Sequence, residues 1–227
     1  GDLAAGEVMT GGDGVDELRF TATSASTLTL TAGIAVESVV IGTGTADMAV
    51  TTGKAALNVN AGLAANGLTI TGNAGANQLT GSGYDDWLIG GAGNDTLVGG
   101  QGDDTLSGGL GMDRLTGGLG ADVFVFNALP NATTNRDTIT DYSVADDQIH
   151  LENAVMAGLG LTTGTLGAAA FASGNFTSAQ DASDRIIYNS TTGLLYYDPD
   201  GIGGLAAISI AQLSTGLSLT NDEFQII

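Results

Sequence analysis

Five aspartates recur at nine-residue intervals, Asp86, Asp95, Asp104, Asp113 and Asp122, and glycines precede them at fixed offsets. Gly90-Gly-Ala-Gly-Asn-Asp-Thr-Leu-Val98 is followed directly by Gly99-Gly-Gln-Gly-Asp-Asp-Thr-Leu-Ser107. Gly108-Gly-Leu-Gly-Met-Asp-Arg-Leu-Thr116 and Gly117-Gly-Leu-Gly-Ala-Asp-Val-Phe-Val125 complete four tandem copies of G-G-x-G-x-D-x-U-x, where U is large and apolar. Glycines at positions one, two and four let the backbone curl so that its carbonyls converge. The aspartate at position six adds a carboxylate. Carbonyls and carboxylates together suit a hard cation that takes six to eight oxygens, which points to Ca2+.

Such a unit imposes its own architecture. Positions seven to nine predict a short strand with one inward residue: Leu88, Leu97, Leu106, Leu115 or Phe124. One unit cannot bury that residue alone, so the units must stack. Two units make a coil with a strand on each side. Asp86, Asp104 and Asp122 then line one edge, and Asn77, Asp95 and Asp113 the other. Two weaker copies, Gly72–Thr80 with Asn77 and Gly81–Ile89 with Ser82 and Tyr84, bring the array to six units, residues 72–125. Six units leave about four enclosed ion positions. A seventh, isolated copy stands at Gly11–Arg19.

The four tandem copies resemble the RTX (repeats-in-toxin) nonapeptides of exported proteins of Gram-negative bacteria. The resemblance implies an all-β parallel β-roll binding several calcium ions, about four or more. It also implies that alternate turn carbonyls face opposite ions. Gly91, Gly93 and Asp95 would then serve one ion, and Gly90, Ala92 and Asn94 another. The same holds for Gly99, Gly100, Gln101, Gly102, Asp103 and Asp104, then for Gly108, Gly109, Leu110, Gly111, Met112 and Asp113. Gly117, Gly118, Leu119, Gly120 and Asp122 end the series, and Asp86 belongs to the degenerate copy before it. A metal-free glycine-rich solenoid is the competing reading. It leaves stacked aspartates repelling one another with few basic neighbours.

Composition narrows the function. The net charge is −20; five of the 25 acidic residues are Glu, so 20 are Asp. Only five residues are Lys or Arg, which disfavours nucleic acid and anionic membrane surfaces as partners. There is no cysteine, and no apolar run approaches a membrane span of about 20 residues. His150 is the only histidine, so zinc triads and H-E-x-x-H are absent, as is G-x-S-x-G; no enzyme activity is expected of this chain. Trp87 reads as a packing residue in a variable slot, and the glycines lack the strand-then-helix setting of a dinucleotide site.

The flanks supply the rest. Residues 1–71 read as a degenerate β-solenoid, with strand-like runs at Leu28–Leu30, Val39–Ile41, Met48–Val50, Leu57–Val59 and Leu68–Ile70. Their threonines suit strands generally and do not by themselves mark an ice-binding face. Residues 126–227 read as a β-rich cap. Asp137–Tyr142 and Asp146–Leu151 resemble the segment that caps RTX rolls in serralysin-like proteases. Asp137 and Asp141 there either close a last calcium site or sit in strand-edge turns. A hairpin is expected across Asp184–Tyr188 and Leu194–Tyr197, and Asp198-Pro-Asp-Gly201 is either a plain turn or a partial calcium loop. Ala206–Leu213 and Leu217–Ile227 read as strands. The acidic, apolar C-terminus resembles an uncleaved type I secretion signal. The chain opens Gly1-Asp2 without Met and reads as a fragment or processed chain. These features suggest a secreted or cell-surface module whose partners are calcium, a type I exporter, and the cell surface or other copies of itself. Its parent would be a surface adhesin or S-layer-like protein, or alternatively a secreted hydrolase such as a protease or lipase.

Overall fold

The computed structural model describes residues 14–20, 24–32, 36–45, 48–50 and 52–227. The isolated nonapeptide begins outside this range, at residues 11–13. Two sheets run the length of the described chain. The first, nine-stranded, takes its strands in the spatial order Glu17–Phe20, Ser38–Ile41, Thr69–Thr71, Trp87–Ala92, Thr105–Leu110, Val123–Phe126, Gln148–Leu151, Phe224–Ile226 and Gly164–Thr165. The second, ten-stranded, runs from Ser26–Thr29 through Leu57–Asn60, Gln78–Thr80, Thr96–Gln101, Arg114–Leu119 and Asp137–Ile139 to the C-terminal strands. From Leu57–Asn60 to Gln148–Leu151, successive strands thus alternate between sheets. Within the array, every pairing is parallel with an 18-residue step, such as Leu88↔Leu106 and Leu97↔Leu115. This is the all-β parallel roll that the nonapeptides dictate.

The core is a double stack of inward residues. Ile70, Leu88, Leu106, Phe124, Ile149 and Phe224 form one column, and Leu79, Leu97, Leu115 and Ile139 the facing one; all are buried. Each rests on its neighbours one coil away, so burial arises only in the stack. The strands are longer than expected: Thr96–Gln101 and its counterparts have six residues, because Gly100↔Gly118 and Gly109↔Gly91 also pair. The turn glycines therefore extend the ladder.

Upstream, the solenoid rhythm holds for the strands starting at Ser26, Ser38, Leu57 and Thr69, which join the same two sheets. Met48–Val50 departs from it, pairing antiparallel with Thr43–Thr45 in a separate two-stranded sheet. Ser38–Ile41 already fills the slot between Glu17–Phe20 and Thr69–Thr71, so the next segment folds back on itself.

Downstream, the hairpin Ile186–Asn189/Leu194–Tyr197 forms with Gly193 at φ 77°. Ile208–Gln212 pairs antiparallel with its second strand and parallel with Asp137–Ile139. Phe224–Ile226 adds in parallel to Gln148–Leu151. Of the expected C-terminal strand from Leu217, only Phe224–Ile226 is strand, because Thr220 and Glu223 close a local turn, Thr220 N donating to Glu223 Oε2 at 2.7 Å. Trp87 is not a packing residue: its position points outward and it is 52% exposed. Among the described residues, no helix is long and apolar enough to cross a membrane.

Candidate metal centre

The aspartates stack along two opposite edges of the roll. On the first edge, Leu68 N donates to Asp86 Oδ1 at 2.7 Å, Asp86 N to Asp104 Oδ1 at 2.8 Å and Asp104 N to Asp122 Oδ1 at 3.0 Å. On the second, Asn77 N donates to Asp95 Oδ1 and Asp95 N to Asp113 Oδ1, both at 2.7 Å. One carboxylate oxygen of each aspartate thus ties its coil to the preceding one. The other oxygen remains. Asp95, Asp104 and Asp113 each bury Oδ2 with no hydrogen-bond partner. These unpaired anionic oxygens, Asp104 on the first edge and Asp95 and Asp113 on the second, would each cost several kcal/mol in a dry interior without a counter-charge.

Their protonation follows. Burial is the main cause that pushes Asp95 and Asp104 up to about 7 and Asp122 up to about 6. Burial also raises the neighbouring pair Asp113 and Asp137, and at Asp137 the charge of Asp113 adds to it. A bound dication reverses these shifts by stabilising the charged form.

The surrounding backbone leaves room for oxygens and little else. Gly90, Gly99, Gly108 and Gly117 each lie against Oδ2 of their own unit's aspartate, so a Cβ there would strike the carboxylate. Gly109 and Gly111 have φ of 92° and 144° and rest on the carbonyl oxygens of Gly91 and Gly93 one coil earlier. Gly118 and Gly120 rest likewise on the carbonyls of Gly100 and Gly102. Carbonyls of the preceding coil therefore lie against the turns of Asp113 and Asp122, and at Asp113 an orphaned carboxylate oxygen joins them. Among the described residues no three His, Cys, Asp or Glu side chains converge on one point. That suits a site drawing most of its oxygens from the main chain. The residues present fit calcium.

A second row of contacts runs along the turn tips. Asp103 N donates to Asp85 Oδ1, Ala121 N to Asp103 Oδ1 and Met112 N to Asn94 Oδ1, at 2.8–3.0 Å. Side chains at position five therefore hold successive tips together, a role the sequence reading did not give Asp103 or Asn94.

The degenerate coils solve the same problem differently. Asn77 accepts from Asn73 N at 2.9 Å and donates to Leu57 O at 2.6 Å. Asp86 Oδ2 accepts from Ser82 N at 2.6 Å and from Ser82 Oγ at 3.0 Å, so the serine at the second glycine position satisfies it.

At the far end, Asp137 and Asp141 do not share one site. Asp137 Oδ1 accepts from Asp113 N at 3.0 Å and prolongs the second edge. Asp141 takes Gly117 N at 3.1 Å and Gly118 N at 2.9 Å on the first edge. Asp147, which the sequence reading passed over, completes that edge by accepting from Asp122 N at 3.0 Å. Its 25-residue distance from Asp122, in place of 18, hid it from the period. Asp198 and Asp200 form a self-bonded turn, Asp200 N donating to Asp198 Oδ1 at 3.3 Å and Leu205 N to Asp200 Oδ2 at 3.2 Å.

A family model of the RTX calcium-binding nonapeptide repeat matches residues 71–106 and 98–128, in four copies. No curated protein matches the chain. The chain therefore contains an RTX calcium-binding nonapeptide region over about residues 71–128. Such regions are calcium-binding and structural, not catalytic, and the aspartate ladder is consistent with several Ca2+ ions.

Proposed function

We propose that this chain is a calcium-dependent folding module of a protein exported by a type I system of a Gram-negative bacterium. The observation that carries the reading is the set of orphaned oxygens on Asp95, Asp104 and Asp113. Calcium would sit between successive turns on each edge. Its ligands would be these carboxylates with Asp122 and Asp137, and the carbonyls of the glycine turns from Gly90 to Gly120. When bound, calcium neutralises the buried carboxylates. The chain's own part is to hold one carboxylate oxygen by the preceding coil's N–H and leave the other buried without a protein partner.

Functionally the chain divides into a degenerate solenoid (1–71), the calcium roll (72–125) and a cap with the export address (126–227). In calcium-poor cytosol the aspartates repel, and the roll stays open enough to thread an exporter. Outside, ions favour folding and oppose return. The continuity of the upstream strands with the roll favours the end of a long surface or adhesin-like parent over an enzyme. Deleting residues 170–227 tests the third segment. Type I export should be abolished, and the calcium midpoint of the purified remainder should rise. Wild-type yield in the medium rejects the address, and an unmoved midpoint rejects the cap.

A further inference from the structure

We propose that a groove along the corner between the first edge and the outer face of the first sheet binds an organic cation, an alkylammonium or guanidinium group. The groove has a volume of about 400 Å3, and Trp87 lies in it between Thr69 and Thr105, its partners on the flanking strands. Glu37, Asp85 and Asp103 complete the part that matters here.

The indole is the first observation. Trp87 is the chain's only tryptophan, and it is 52% exposed. The same place in other coils holds Gln78, Thr96, Thr105, Arg114 or Val123, so the stack itself does not require a large ring there. A half-exposed indole in a groove lined by carboxylates attracts a cation through the ring quadrupole as well as through charge.

The carboxylates are held in place. Glu37 receives Asp16 N at 2.8 Å, and its carbonyl receives Thr69 N at 2.9 Å. Asp85 receives Asp103 N at 2.9 Å and Asp103 receives Ala121 N at 2.8 Å. The three side-chain bonds, from Asp16 N, Asp103 N and Ala121 N, each use one carboxylate oxygen. Among the described residues no Lys, Arg or His lines the groove, so an anionic ligand meets only repulsion. A neutral polyol would gain hydrogen bonds but nothing from the net charge.

The single tryptophan makes its fluorescence specific to this groove. The calcium-loaded full chain is titrated with N-acetyl-arginine methylamide, with tetramethylammonium and with sorbitol at matched ionic strength. The expected result is a saturable change in emission with the cations and none with sorbitol. Tighter binding of the blocked arginine assigns the site to a basic side chain of a protein partner; tighter binding of tetramethylammonium assigns it to a free small cation. The double variant Glu37→Gln/Asp85→Asn should weaken binding at least tenfold while calcium-induced folding is unchanged. Trp87→Leu, read by calorimetry, should do the same if the double variant does not fold. No saturable change with either cation, an equal response to sorbitol, or unchanged affinity in the variants would overturn the proposal.

Discussion

The coil at Asn77 and the coils at Asp95, Asp104 and Asp113 share a backbone path but close their turns by different means. Asn77 carries its own donor: its amide reaches Leu57 O, and its oxygen takes Asn73 N. Asp86 borrows one from Ser82. Three of the four perfect units, those of Asp95, Asp104 and Asp113, contain no such donor and leave an anionic oxygen buried. Side-chain chemistry at positions two and six therefore decides whether a turn is complete on its own or needs a cation. The all-glycine turn carries no side-chain donor of its own to pair with that oxygen.

The largest effect should come from filling that space. In Gly109→Ala the backbone strain at φ 92° alone costs about 1–3 kcal/mol. The new Cβ also meets the carbonyl of Gly91, one of the proposed calcium ligands. Calcium-induced folding followed by circular dichroism should be lost or shifted to much higher calcium. Gly83→Ala, in the degenerate turn, has open space and no left-handed φ, and should change the midpoint little. Equal effects would erase the distinction between the two kinds of coil.

Next in size is the carboxylate itself. Asp104 bonds to coils on both sides, donating to Asp122 and accepting from Asp86 N. Asp104→Ala should lower the number of bound ions and the cooperativity of calorimetric calcium titrations. Asn77→Ala should leave the ion count unchanged and cost about 1–3 kcal/mol of stability, through the unpaired Leu57 carbonyl and Asn73 N–H, with or without calcium. Matching titrations for the two variants would contradict the alternating-edge arrangement.

The smallest effect concerns protons. Asp95 and Asp104 rise to about 7 from an ordinary 3.8, chiefly by burial. The metal-free folded roll therefore holds protons that the unfolded chain releases. Their stabilising contribution is full below about pH 4 and lost as pH rises to about 7. Melting in EGTA should accordingly weaken over that interval, while apparent calcium affinity increases as protons cease to compete. A melting temperature independent of pH in EGTA would show that the carboxylates are not buried as described. Asn77 does not titrate, so Asp95→Asn should flatten part of the profile.

The sequence made the strand alternation, the inward column from Leu88 to Phe124 and the two aspartate edges legible, because each follows from a strict nine-residue period. What lay outside that period was harder to read. Residues 127–136 lengthen the return to the second sheet, so Asp113 meets Asp137 after 24 residues and Asp122 meets Asp147 after 25. The pairing of Ile208–Gln212 with Asp137–Ile139 joins segments about 70 residues apart, with no local signal. The exposure of Trp87 was hidden because position seven tolerates any side chain. Ser82 was legible as a substitution, but its bond to Asp86 depends on the three-dimensional turn.

Calcium removal tests the central claim most directly. Ions held at about 10⁻⁴–10⁻³ M each add about 0.4–1.4 kcal/mol at 1 mM calcium, so about four sites add about 2–6 kcal/mol. That is comparable with a domain's whole net stability of about 5–15 kcal/mol. Circular dichroism and thermal melting in EGTA, then in excess calcium, should show lost strand signal and lower melting, with full recovery on adding the ion. An unchanged spectrum and melting curve would contradict the account.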